Sequence, residues 1–178
     1  MAAPRRKLRV FTDANILFAG SAFPRWPYEV LRHAAAGDLQ LVLCPLVIDQ
    51  ARRHLQERFP SQVARFDKFL QKVNYELVPD PTLEEIEAHT NLVRDASDVA
   101  VALAAMAADV DYTVSEDKDL TAHDETTVEL RRHLKVMISG TFLREVMGWP
   151  STDLEAVRRR TWAELPEEKT EEAESKGR

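Results

Sequence analysis

The segment SDVAVALAAMAADVDYTVSEDKDL, running from Ser97 to Leu120, constrains the fold of this chain more than any other. From Val99 to Ala108 it carries no charged or polar side chain, and a helix that is apolar on every side has to be buried. The run DYTVS that follows, residues 111 to 115, reads as a strand. If the helix packs back on the sheet that holds this strand, Asp98 at the helix start and Asp117 just past the strand meet at one edge. Asp13, at the end of the first strand in RVFTDANI, joins them, because ligands of open α/β sheets gather at the carboxyl ends of the strands. Three converging carboxylates suit a divalent cation such as Mg²⁺ or Mn²⁺, which prefers carboxylate oxygen and water.

The rest of the chain alternates between period two and period 3.6, the signature of an α/β fold. Leu8 to Thr12 reads as a strand, and Pro27 to Ala36 as a helix stopped by Gly37. Residues 39 to 44, LQLVLC, form a second strand whose nearly continuous apolar character fits a sheet covered on both faces. A helix follows from Leu46 to Arg58. Ser61 caps another, with Phe66, Phe69, Leu70 and Val73 on one stripe. Thr82 and Glu85 form a capping box for a helix reaching about Val93. Asp95 or Ser97 opens the Ala-rich helix, residues 135 to 139 form a fourth strand, and Thr141 to Met147 and Thr152 to Leu165 read as helices. Residues beyond Pro166 are too polar to bury anything.

Composition narrows the class. With 178 residues, 44% apolar and 30% charged, the chain can build one sizeable core. A lone cysteine, Cys44, rules out an internal disulfide framework or thiolate zinc site and fits a reducing, cytoplasmic compartment. No stretch reaches the length of a membrane span, and no targeting signal is read, since Asp13 and Asn15 interrupt the first apolar run. The net charge of −6 counts against a nucleic-acid partner. The polar tail from Glu164 carries six acids against three bases, and a bound metal would neutralise much of the remainder. Three basic runs, at Arg52-Arg53-His54, at Arg131-Arg132-His133 with Lys135, and at Arg158-Arg159-Arg160, can meet phosphate, although such runs are ordinarily solvated helix faces. No Gly-rich phosphate loop, paired-histidine metal spacing or Gly-x-Ser-x-Gly elbow is present.

Each acid also has an ordinary structural role open to it. Asp13 can cap a helix starting near Asn15, Asp98 can sit in a first helical turn, and Asp117 and Asp119 can bond their own turn backbone. Three independent turns seldom place acids after consecutive sheet elements, so the joint pattern favours a site. Trp26, between Pro24 and Pro27, is placed beside the helix of Asp13, where it would cover the site; Trp149 and Trp162 read as packing residues.

FTDANILFAG resembles the opening motif of PIN domains, and SDVAVALAAMAADVDYTVSEDKDL resembles their later motif, in which one acid opens a helix and another follows the next strand. The resemblance covers roughly residues 8 to 147 and is nearest to bacterial toxin components related to VapC. It implies a three-layer α/β/α sandwich with a central, mostly parallel sheet, in which residues 1–150 form the PIN-like domain, 151–165 a C-terminal helix packed on it, and 166–178 a disordered acidic tail. It implies a Mg²⁺- or Mn²⁺-dependent endoribonuclease acting on single-stranded RNA, the toxin of a toxin–antitoxin pair, with an antitoxin protein and a homodimer as the partners typical of the group.

Asp13, Asp98 and Asp117 fall on positions of the family's acidic tetrad, and Asn15, Ser115 and Asp119 on or beside polar positions that support it. The fourth acid is absent. Family members place Glu at the seventh residue of a segment like CPLVIDQARRHL, and here that residue is Gln50, preceded by Asp49. A helix advances about 100° per residue, so Asp49 substitutes only if the backbone adjusts. In the two-metal scheme, cations stabilise the attacking and leaving oxygens of an in-line displacement, and a missing carboxylate weakens the second site more than the first. The alternative function is therefore a catalytically impaired PIN-like module that binds RNA or protein. A phosphatase of the haloacid-dehalogenase type would need a second Asp where Asn15 stands.

Overall fold

The computed structural model describes residues 6–165. Five strands, β1 (Arg9–Thr12), β2 (Gln40–Leu43), β3 (Tyr75–Leu77), β4 (Tyr112–Val114) and β5 (Val136–Met137), form one sheet in the order β3-β2-β1-β4-β5, and every pairing is parallel. The helices are α1 (Ala14–Ala22), α2 (Trp26–Ala35), α3 (Pro45–Arg58), α4 (Val63–Lys72), α5 (Leu83–Ala88), α6 (Val99–Ala108), α7 (Lys118–Thr121), α8 (Val128–His133), α9 (Ser139–Glu145) and α10 (Ser151–Val157).

Strand order dictates the layers. The chain steps outward from β1 to β2 and β3, then crosses back to β4 and β5, and parallel crossovers are right-handed almost without exception. Reversing the stepping direction therefore sends α1 to α4 to one face and α5 to α8 to the other. The contacts agree: α1 packs on α2, α3 and α4, while α5 packs on α6. With both faces covered, Phe11, Leu41, Val42, Leu43 and Val114 are fully buried, and α6 is buried from Val99 to Ala105. The expected PIN-like three-layer arrangement is what forms, with an entirely parallel sheet. No helix among the described residues is long and apolar enough to cross a membrane.

Several elements depart from the sequence reading, among them α7 and α8, which it does not contain. β3 is a strand that the sequence reading does not contain; it is a three-residue edge strand, half-buried to exposed, with no apolar alternation to betray it. The helix capped by Thr82 stops at Ala88 rather than near Val93, and the segment beyond it runs through turns. The expected helix from Thr152 to Leu165 splits into α10 and a 3-10 turn at Trp162–Glu164. Gly37 does stop the chain after α2, with φ of +84°. The acidic tail expected from residue 166 lies outside the described residues.

The C-terminal segment is stitched to the first helical layer by side chains. Trp26 Nε1 donates to the Leu154 carbonyl at 2.9 Å, Trp149 Nε1 to His33 Nε2 at 2.9 Å, and Trp162 Nε1 to the Ala22 carbonyl at 3.0 Å. Trp26 thus opens α2 and braces α10. Beneath these bonds, Glu29, only 4% exposed, pairs with Arg160 at 2.5 Å and Arg32 at 3.3 Å, while Arg160 Nε also donates to the Pro24 carbonyl at 2.8 Å. Removing one partner of a buried pair leaves an uncompensated charge, which costs about 3 kcal/mol, whereas an exposed pair contributes little. Arg160→Ala is therefore expected to lower the melting temperature by roughly 6–12 °C, and Arg158→Ala, whose pair with Glu155 is exposed, by no more than about 2 °C. Equal shifts in a thermal melt would contradict this account.

Candidate active site

The strand order reverses between β1 and β4, which makes the carboxyl ends of these two strands the switch point of the sheet. Thr12 pairs in register with Val114, so the next residue on each strand, Asp13 and Ser115, stand side by side. The Ser115 hydroxyl donates to Asp13 Oδ2 and accepts the Asp117 amide at 3.0 Å. Asp13 Oδ1 accepts the Ile16 amide at 3.1 Å, so the carboxylate caps α1 as well as facing the switch point. It is 5% exposed.

Asp98 meets Asp117 from the start of α6. It stands at the N-cap position without making a capping bond, its carboxylate lies within hydrogen-bonding reach of Asp117, and its Oδ2 is buried with no donor facing it. An acceptor set against acceptors is an arrangement that a bound cation satisfies. Asp117 also takes the Asp119 amide on Oδ1 at 2.9 Å, as a turn residue would. The capping and turn roles read for Asp13 and Asp117 are thus real, and they orient the carboxylates that converge.

A further acid stands in the cluster that sequence reasoning treated only as a helix opener. Carboxylate oxygens of Asp95, Asp98 and Asp119 lie within 4.8 Å of one another. Asp95 caps a 3-10 turn, Ala96–Asp98, by accepting the Ser97 amide at 2.9 Å, and at three residues per turn positions i and i+3 fall on one side. The signal was an acid three residues before the motif acid. Octahedral Mg²⁺ holds its oxygens at about 2.1 Å, which sets opposite ligands roughly 4 Å apart, so this spacing needs only small side-chain adjustment. The donor set, all carboxylate oxygen, fits a hard cation such as Mg²⁺ or Mn²⁺.

Asp49 is not among the carboxylates grouped around Asp98. Asp49 is exposed on α3, opposite the buried stripe of Val47, Ala51 and Leu55, and Gln50 is half-buried. The groups acting most strongly on Asp13 and Asp98 include neither. Asn15 is exposed in the first turn of α1. Glu116 reaches across to cap α9 through the Ser139 amide at 2.8 Å. Cys44 is a buried free thiol, pushed up to about 11 by burial.

A family profile described as PIN domain matches residues 9–119, more than half of the chain and both motifs of the site. The chain belongs to the PIN domain family. Members of this family are generally metal-dependent nucleases. The fold of this PIN domain is similar to that of PAE2754 from Pyrobaculum aerophilum, at 18% identity and a TM-score of 0.56 over 80% of this chain and 91% of that one. It is also similar to a chain of VapBC2 from Rickettsia felis, solved bound to a DNA fragment from their promoter, at 14% identity and a TM-score of 0.50 over 74% and 98% of the two chains. No curated protein matches the sequence.

The acids of the PIN domain strain against each other. Burial, reinforced by Asp117 and Glu116 but opposed by the bonds from Ser115 and Ile16, raises Asp13 to about 6. Burial and then Asp117, with smaller contributions from Asp95 and Asp119, raise Asp98 to about 7. A carboxyl whose native pKa exceeds its unfolded value holds its proton more tightly when folded, so ionising it lowers stability. The stability these two groups contribute is complete below about pH 4 and is lost as pH rises through 6 and 7. The metal-free protein is expected to lose several degrees of melting temperature across that window relative to Asp98→Asn, and Mg²⁺ or Mn²⁺ is expected to restore it above pH 7 but not at pH 5, where protons compete. Parallel pH profiles for wild type and Asp98→Asn would rule out this electrostatic origin.

Proposed function

We propose that the protein is a metal-dependent endoribonuclease that cleaves single-stranded RNA, with Asp13, Asp98 and Asp117 as its metal-binding and catalytic acids, and that it is the toxin of a toxin–antitoxin pair. The reading rests above all on the orphaned Asp98 oxygen amid carboxylates at the sheet's switch point. Ser115 positions Asp13 through its hydroxyl and Asp117 through its amide interaction, so both keep fixed orientations without ligand. Asp119 and Asp95 extend the donor set, offsetting the charge that Gln50 lacks. A divalent cation in this setting supplies positive charge that activates water and stabilises the charge developing on phosphodiester oxygens.

The toxin reading draws on the likeness to the VapBC2 chain and the PIN motifs; it carries with it a small antitoxin, a homodimer and a cytoplasmic setting. Residues 1–150 make up the nuclease unit in this reading, with residues 151–165 as its brace. A second reading, a PIN-like module that binds RNA or protein without turnover, is favoured by the neutral Gln50 and the outward-facing Asp49. Incubating purified protein with labelled single-stranded RNA separates the two. Cleavage is expected with Mg²⁺ or Mn²⁺, abolished by EDTA, and reduced on the order of 10²–10³-fold in Asp13→Asn and Asp98→Asn, the size typical of removing one preorganised electrostatic group. Equal cleavage by wild type and Asp13→Asn would sink the assignment, and binding without metal-dependent turnover would leave the second reading standing.

A further inference from the structure

We infer that the α1–α3 face beside the acid centre is a track for single-stranded RNA, with its flat cations and rings binding the strand that flanks the cut; this rests on the ribonuclease reading. Asn15 and Phe18 are one turn apart on one face of α1, the helix that Asp13 caps, so the Phe18 ring stands within two turns of that acid along the helix. α3 straddles that ring. The His54 ring meets Phe18 edge-on at 6.2 Å, and the Arg58 guanidinium lies 5.6 Å from the Phe18 centroid. Beyond Phe18 the aromatic row continues through Phe59, at 5.8 Å, to Phe23, at 5.3 Å from Phe59, where Arg25 lies 4.8 Å from the Phe23 centroid.

Two properties select a single-stranded nucleic acid over other partners. The cations are uncompensated: Arg53 and Arg58 are exposed, and no carboxylate among the described residues lies within ion-pairing reach of them or of Arg25. The exposed Glu57 stands among them on α3, and Arg53, Arg58 and Arg25 outnumber it, so this side of a protein of net charge −6 attracts phosphate near a centre that would otherwise repel it. Second, a guanidinium laid on an aromatic ring is held in place and offers its outer face, the platform on which unstacked bases settle in single-strand recognition. A duplex keeps its base faces covered and gains nothing from such platforms.

The test is fluorescence anisotropy in EDTA, which separates binding from cleavage, using labelled oligouridylate and an RNA duplex of equal length. Wild type is expected to prefer the single strand. Arg53→Ala with Arg58→Ala is expected to bind the single strand about tenfold more weakly and to flatten the log–log salt dependence by about 1.4, since each single-strand phosphate contact contributes about 0.7. Arg58→Lys keeps the charge and loses the flat face, so its salt slope should stay near wild type while the preference for single strand over duplex shrinks. Arg144→Ala with Arg158→Ala removes the same charge elsewhere, and circular dichroism reports folding of every variant. The inference is overturned if the Arg53/Arg58 variant binds like the control pair, or if wild type binds duplex as well as single strand. Because binding is read without metal, a failure to cleave in the separate Mg²⁺ or Mn²⁺ assay would count against the ribonuclease reading alone.

Discussion

The Asp13 carboxylate, buried at the end of β1, is the point around which the carboxyl edge of the sheet is organised. One of its oxygens ends the row of free amides at the start of α1, and the other takes the Ser115 hydroxyl from the neighbouring strand. Because β1 is the central strand, these two bonds join the helical layer to the half of the sheet that holds β4 and β5. The same bonds stop the carboxylate from rotating. A residue that serves as a cap and as a ligand does not have to choose between the roles, since capping uses one oxygen and leaves the geometry of the other defined.

Electrostatics divides this protein into opposing regions only a few helical turns apart. At the switch point, burial, with repulsion from neighbouring carboxylates added to it, raises Asp13 and Asp98 well above the ordinary carboxylate range. On α3, Arg53 and Arg58 stand exposed with no carboxylate in ion-pairing reach among the described residues. Neither arrangement serves folding. Both make sense when a polyanion and a cation arrive together, since each then meets its complement.

The architecture was legible because its main elements are strongly apolar: LQLVLC and the Ala-rich helix have few other ways to fold, and the chain order of strands and helices left parallel pairing as the natural outcome. Asp13, Asp98 and Asp117 were legible for the same reason, each being fixed to the end of such an element. What escaped was marked by weak local signals. β3 is short, edge-lying and carries Glu76, whose pairing with Arg9 at 2.7 Å across the sheet is a tertiary fact. Asp95 looked like a helix opener because it is one, and only the 3-10 turn behind it sets its carboxylate beside Asp98. The hydrogen bond from the Trp26 indole to the Leu154 carbonyl, more than a hundred residues away, is likewise a tertiary fact.

α1 is held at both ends. At its start Asp13 is locked to Ser115, and at its last residue the Ala22 carbonyl is gripped by the Trp162 indole, with the Glu29–Arg160 pair set beside it. A short helix clamped in this way behaves as a strut whose axial position is set twice. The described C-terminal segment, from Ser151 to Leu165, therefore belongs to the scaffold that aims the first carboxylate, and its docking is part of how this chain builds its centre.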